Sequence, residues 1–128
     1  MNLRRFLALT VLLTTAALAD ETPQRYADAQ ALWEKAKDRA EYEGYATEFA
    51  QFNNHFHLDE KGGCYRVASG PVNLMLVIVH RDGDQFAVVQ NAFSDVNNPK
   101  AQCFRKTYEG LRTKVPPFFP FVLQMSLG

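Results

Sequence analysis

The residues that could do chemistry are few. His55, His57 and Asp59 stand at i, i+2 and i+4, with Glu60 adjacent. In a strand that spacing puts all three on one face, a donor set suited to Zn²⁺ or Cu²⁺. Three ligands from one short segment rarely enclose a metal alone, and no other clear ligand pair stands elsewhere. His55, His57 and Asp59 are therefore weak candidates beside a plain polar segment, and no metal is expected. Asp82-Gly83-Asp84 has two acids but lacks the further oxygen ligands of a calcium loop, and it reads as a hairpin turn. Ser69, Ser94 and Ser126 sit in no G-x-S-x-G context. His80 closes an apolar run, where packing or solvation is the plainer role. Glu41, Glu43, Glu48 and Asp59 supply carboxylates of the kind any helix carries. There is no phosphate loop and no dinucleotide fingerprint. No catalytic residue and no cofactor are expected.

Cys64 and Cys103 are the only cysteines. No C-x-x-C is present, and no histidine lies near either in sequence. Whether they pair depends on the compartment, and the first residues speak to that. Met1-Asn2-Leu3-Arg4-Arg5 is basic, Phe6 to Leu13 is apolar, and Ala17-Leu18-Ala19 supplies small residues before Asp20. This is the pattern of a secretory signal peptide over residues 1–19, cleaved after Ala19. The apolar run is short for a membrane span. Cleavage removes Arg4 and Arg5 and no acid, so 14 basic residues fall to 12 against 14 acidic ones, a charge of −2. The expected location is the periplasm, where Cys64 and Cys103 pair. The closed loop is worth about 3–4 kcal/mol in the chain-entropy model.

The rest of the composition narrows the class. At 128 residues and 47% apolar the chain fits one globular domain. A formal charge of zero gives no footprint for nucleic acid. Thr22-Pro23 looks like a helix start. Tyr26, Ala29, Trp33, Ala36 and Ala40 follow at helical spacing, then Tyr42, Tyr45, Phe49 and Phe52 out of phase with them. The break falls between Ala40 and Gly44, giving two helices or one kinked helix, with Asn53-Asn54 as the stop. Cys64 to Val67 is a possible short strand. Val72 to His80 is a strand apolar on both faces, which predicts cover on both sides. Asp82-Gly83 turns it into a return strand over 85–93. Asn98-Pro99 starts a helix with the stripe Ala101, Phe104, Tyr108 and Leu111, and Cys103 beside that stripe could point toward Cys64. Lys114 to Pro120 cannot be regular helix, and Phe121 to Leu127 alternates as a half-buried strand. The fold class is α+β: a small antiparallel sheet with a helix packed on it, after a helical segment over residues 20–57. That first segment is expected to cap the sheet face opposite the Ala101–Leu111 helix.

Gly70-Pro71-Val72-Asn73-Leu74-Met75-Leu76-Val77-Ile78, then Asp82-Gly83, Val88-Val89, Ser94, the helix with Phe104, the Pro116-Pro117 turn and the last strand resemble, in that order, the C-terminal domain of TonB-family energy transducers. The likeness covers about residues 62–127 and places an α+β domain at 58–128. The family's membrane anchor and long Pro-rich linker have no counterpart here, so force transmission does not carry over. What the resemblance implies is a periplasmic interaction module that adds a partner strand to a sheet edge. The matching edge is the final strand, with Phe121, Leu123 and Met125. Phe118 and Phe119 cluster beside it, as core or as an exposed aromatic patch. The expected partner is an envelope protein or peptide. The alternative is an inhibitor or immunity-type protein that blocks an enzyme or toxin with the loop 114–119.

Overall fold

The computed structural model describes residues 22–128; the expected signal peptide, residues 1–19, lies outside the described residues. Helix α1 spans Tyr26–Ala36 and α2 spans Ala40–Phe56. Two short 3-10 turns follow, Leu58–Glu60 and Cys64–Arg66. Then come β1 (Val72–Val79), β2 (Ala87–Ser94), α3 (Pro99–Tyr108), β3 (Arg112–Thr113) and β4 (Phe121–Leu127). The four strands form one antiparallel sheet in the order β3-β2-β1-β4, so the α+β class stands.

Several expected boundaries move, each for a local reason. Helix α1 begins at Tyr26 rather than at Thr22-Pro23, and Arg25 at its N-cap makes no side-chain cap. Packing of Tyr26, Ala29 and Trp33 against the sheet outweighs a good cap, as is usual for a short helix. The chain bends at residues 37–39, ahead of the expected break, because Arg39 is extended (ψ 138°). Gly44 lies in uninterrupted helix, and a Cβ there would meet nothing. Asn53-Asn54 does not stop α2. The Asn53 side chain turns into the core and accepts the Tyr108 hydroxyl at 2.6 Å, and His57 ends the helix in the left-handed region (φ 50°). The strand expected at 64–67 is a 3-10 turn, entered through Gly63 at φ 68°. Cys64 there is bonded to Cys103 on α3, with Cα atoms 5.5 Å apart.

Where the local signals are strong they hold. Asp82 and Gly83 sit in the β1–β2 turn, with Gly83 at φ 90°. Asn98 caps α3 by accepting the Ala101 amide at 2.8 Å, with Pro99 opening the helix. Strand β4 runs over the expected residues.

The central strand β1 is buried from both sides. Val72, Leu74, Leu76 and Ile78 share one cluster with Phe121 and Leu123 of β4, Tyr42, Tyr45 and Phe49 of α2, and Phe104 and Tyr108 of α3. Met75, Val77 and Val122 face the other way and meet Ala29 of α1. Thus, among the described residues, α1 caps the face opposite α3, and α2 returns to the α3 side. The first helical segment is therefore an elbow bent around the β4 edge, and residues on both sides of the 57/58 boundary share one core. Among the described residues no helix is long and apolar enough to cross a membrane.

Candidate partner-binding edge and groove

The expected metal candidates are separated. His55 lies in the last turn of α2 with its ring edge-on to Phe56 at 4.7 Å. His57 caps that helix, and its Nδ1 lies 3.5 Å from Glu60. Asp59 accepts the Tyr65 hydroxyl at 2.8 Å and the Asn53 amide at 3.4 Å. Helical and turn geometry thus replace the strand that would have aligned them. Among the described residues no group of three or more His, Cys, Asp or Glu could hold a metal ion.

Several of the other residues considered for chemistry are engaged singly. The His80 ring hydrogen-bonds the Asp84 carbonyl at 2.7 Å, Glu41 pairs with Arg39, and Glu48 pairs with Lys114 at 2.7 Å. Ser94 Oγ accepts the Val96 amide, and Ser126 Oγ accepts the Gln124 amide at 2.8 Å. Burial raises the pKa of the Tyr42, Tyr45 and Tyr108 phenols. Burial, then the hydrogen bond to Asp59, pushes Tyr65 up to about 12. These tyrosines stay protonated at neutral pH, and the Tyr45, Tyr65 and Tyr108 hydroxyls act as structural donors.

Strand β4 is an edge, as the sheet order requires. The Asn73 carbonyl accepts the Asp95 amide, so Asn73 turns its backbone groups toward β2. By the alternation of an antiparallel ladder, Leu74, Leu76 and Ile78 turn theirs toward β4, where they face Met125, Leu123 and Phe121. The outward groups of the edge are consequently those of Val122, Gln124 and Ser126. The Gln124 amide is within reach of the Tyr42 hydroxyl on the elbow. Beyond it Ser126 is exposed, and Gln124 and Met125 are half-buried.

The five expected partner-binding side chains divide. Phe121 and Leu123 are core. Phe121 packs on Tyr42 (5.0 Å), Tyr45 (4.7 Å) and Phe118 (5.1 Å). Phe118 is half-buried beneath the Arg39 guanidinium, 4.0 Å from its ring. Phe119 is 45% exposed and stacks on His80 at 5.7 Å. Met125 is the half-buried member on the open stretch of the edge.

The opposite side of the sheet holds a feature that the sequence did not flag. Strand β3 is two residues long, so it covers only the start of β2. Past it the Ala92 amide donates to the Glu109 carboxylate at 3.1 Å, and Arg105 lies 3.5 Å from the same oxygen. The Tyr45 hydroxyl reaches across from α2, lying 2.9 Å from Thr113 Oγ1 and 2.7 Å from the Lys114 carbonyl. Between α2 and this edge runs a groove of about 780 Å³ lined by Tyr45, Phe49, Phe52, Phe86 and residues 112–115. Phe52 and Phe86 are 39% and 44% exposed. A second depression of about 460 Å³ adjoins it at the β1–β2 turn, and Gln85, Phe86 and Arg112 belong to both. The one available sequence signal was Phe52, read as part of the apolar stripe of its helix. Nothing in the sequence brings it to Phe86.

No family model, curated protein or solved structure matches the chain, so the TonB likeness rests on the residues that carry it.

Proposed function

We propose that this chain is a non-catalytic periplasmic interaction module, TonB-like in its sheet-and-helix part, that holds a protein or peptide partner by pairing it to the β4 edge. The observation that carries the reading is the end of that edge that no other described residue covers, where exposed Ser126 presents outward backbone groups beside half-buried Gln124 and Met125. Main-chain pairing supplies affinity in this mode, and flanking side chains such as Met125 supply selectivity. Phe121 and Leu123 serve it from behind, by fixing β4 against the core. Export is supported by the basic-then-apolar start of the sequence and by a disulfide between the two cysteines. A binding role is favoured over catalysis by the scatter of the candidate catalytic side chains over separate parts of the fold.

The test is Ser126→Pro. Its amide faces away from β1, so proline there removes an outward donor and leaves the sheet ladder intact. Partners captured by the wild-type protein from periplasmic extract should lose at least about tenfold in affinity, a change of about 1.4 kcal/mol. Unchanged binding by a folded Ser126→Pro protein rejects edge pairing at β4.

The second reading, an inhibitor that inserts the loop 114–119 into an enzyme or toxin, is favoured by the exposure of Phe119 on that loop. Phe119→Ala then abolishes binding and Ser126→Pro does not.

A further inference from the structure

We infer that the groove between α2 and the β2–β3 edge, together with the depression beside it, is a second binding site, and that it takes an extended acidic peptide carrying aromatic or aliphatic side chains. The groove is apolar where it is deepest. Phe49 is buried at its base, while Phe52 and Phe86, from elements distant in sequence, stand exposed around it. Such a cleft with few polar groups is the usual form of a binding site.

Charge selects the occupant. Arg112 lies where the two depressions join, its guanidinium 4.9 Å over the Phe86 ring. Arg81 lines the second depression. Neither has a carboxylate partner among the described residues, in contrast to Lys114, whose charge is met by Glu48. A ligand carboxylate would complete both guanidinium sites, and the planar fork suits it. Asp84 also lines the second depression, and the Glu48–Lys114 pair in the groove cancels, so two guanidiniums stand against one carboxylate and the joined site keeps an excess of positive charge.

Shape selects an extended chain. A small anion reaches Arg112 or the Phe52–Phe86 bed, and only a longer ligand covers both depressions. The backbone adds to this. Val89 exchanges its hydrogen bonds with Gly110 and Leu111, and Thr113 faces Ala87. By alternation Arg112 therefore turns its own amide and carbonyl away from β2, where a peptide can meet them.

The probe is a fluorescein-labelled, N-acetylated peptide, Ser-Asp-Phe-Asp-Val-Asp-Phe-Ser, with a counterpart carrying Lys for each Asp. Anisotropy should saturate with the acidic peptide and not with the basic one. Arg112→Glu and Phe86→Ala, both at exposed positions, should each weaken binding at least tenfold with circular dichroism unchanged. Amide shifts on titration should gather at residues 45–52, 81–86 and 112–115. Ser126→Pro should bind the probe normally, which separates this site from the β4 edge. Equal binding of the basic peptide, or affinity untouched by Arg112→Glu and Phe86→Ala, overturns the inference. So do shifts confined to residues 122–127, competition by free phenylacetate as effective as that by unlabelled peptide, or self-association of the chain through this face.

Discussion

At the β4 edge the sheet is guarded by packed aromatic rings: the elbow between α1 and α2 bends around the strand, and Tyr42, Tyr45 and Phe118 clasp Phe121. At the β2–β3 edge the guards are single polar side chains, the Glu109 carboxylate on Ala92 and the Tyr45 hydroxyl on Lys114. Both solve the same problem, since an exposed run of strand amides invites pairing with other chains. The difference lies in what opening would require. Uncovering the first half of β4 means pulling aromatic rings out of the core. Uncovering β2 means moving one partly exposed carboxylate. A partner at β4 is thus confined to its open end, whereas the far edge can be remodelled locally.

Substitutions can break this contrast, and the largest effect belongs to the elbow. Phe121→Ala removes the ring on which three aromatics converge and should cost about 3–5 kcal/mol, read as a fall in the urea midpoint. A loss below about 1 kcal/mol would mean that the clasp is ornamental. Replacing both Cys64 and Cys103 by Ser removes the bond that ties α3, capped by Glu109, to the turn before β1 and should cost about 2–4 kcal/mol in the same assay. Tyr45→Phe removes one hydroxyl from beside Thr113 and Lys114 and should cost about 1–2 kcal/mol. Faster amide exchange should then be confined to residues 112–114, and faster exchange throughout β4 as well would show that the two edges are coupled. The smallest effect is expected for Glu109→Ala, about 1 kcal/mol, with faster exchange at the Ala92 amide and none at Ser126.

Much of the scaffold was legible because its signals are local. The Asp82-Gly83 turn, the Asn98-Pro99 helix start and the alternation of Phe121 to Leu127 each need only neighbouring residues. Positions decided by tertiary partners were not. Asn53 looks like a stop until Tyr108, far along the chain, gives its amide oxygen a buried donor. Cys64 to Val67 has strand-like composition, but no strand pairs with it, and the bond to Cys103 holds it in a turn. Strand β3 is too short to show any period. The alternation of β4 tells which residues share a face and not which face is covered, and burial of Phe121 and Leu123 in the core is settled only by the helices that pack on them. The groove was invisible for the same reason: Phe52, Phe86 and Arg112 meet only in the folded chain.

The strand order carries a consequence for timing. The central strand, first of the four in sequence, finds its second neighbour only in the last, through pairs such as Ile78–Phe121 and Val72–Leu127. Closing so long a loop costs entropy before any contact repays it, which slows the search. The elbow waits as well, since Tyr42 and Tyr45 have no Phe121 to grip until that strand arrives. A growing chain therefore cannot complete its sheet, or close the elbow on it, until β4 has been made. The bond between Cys64 and Cys103, once formed, shortens the remaining search by holding α3 to the turn ahead of β1.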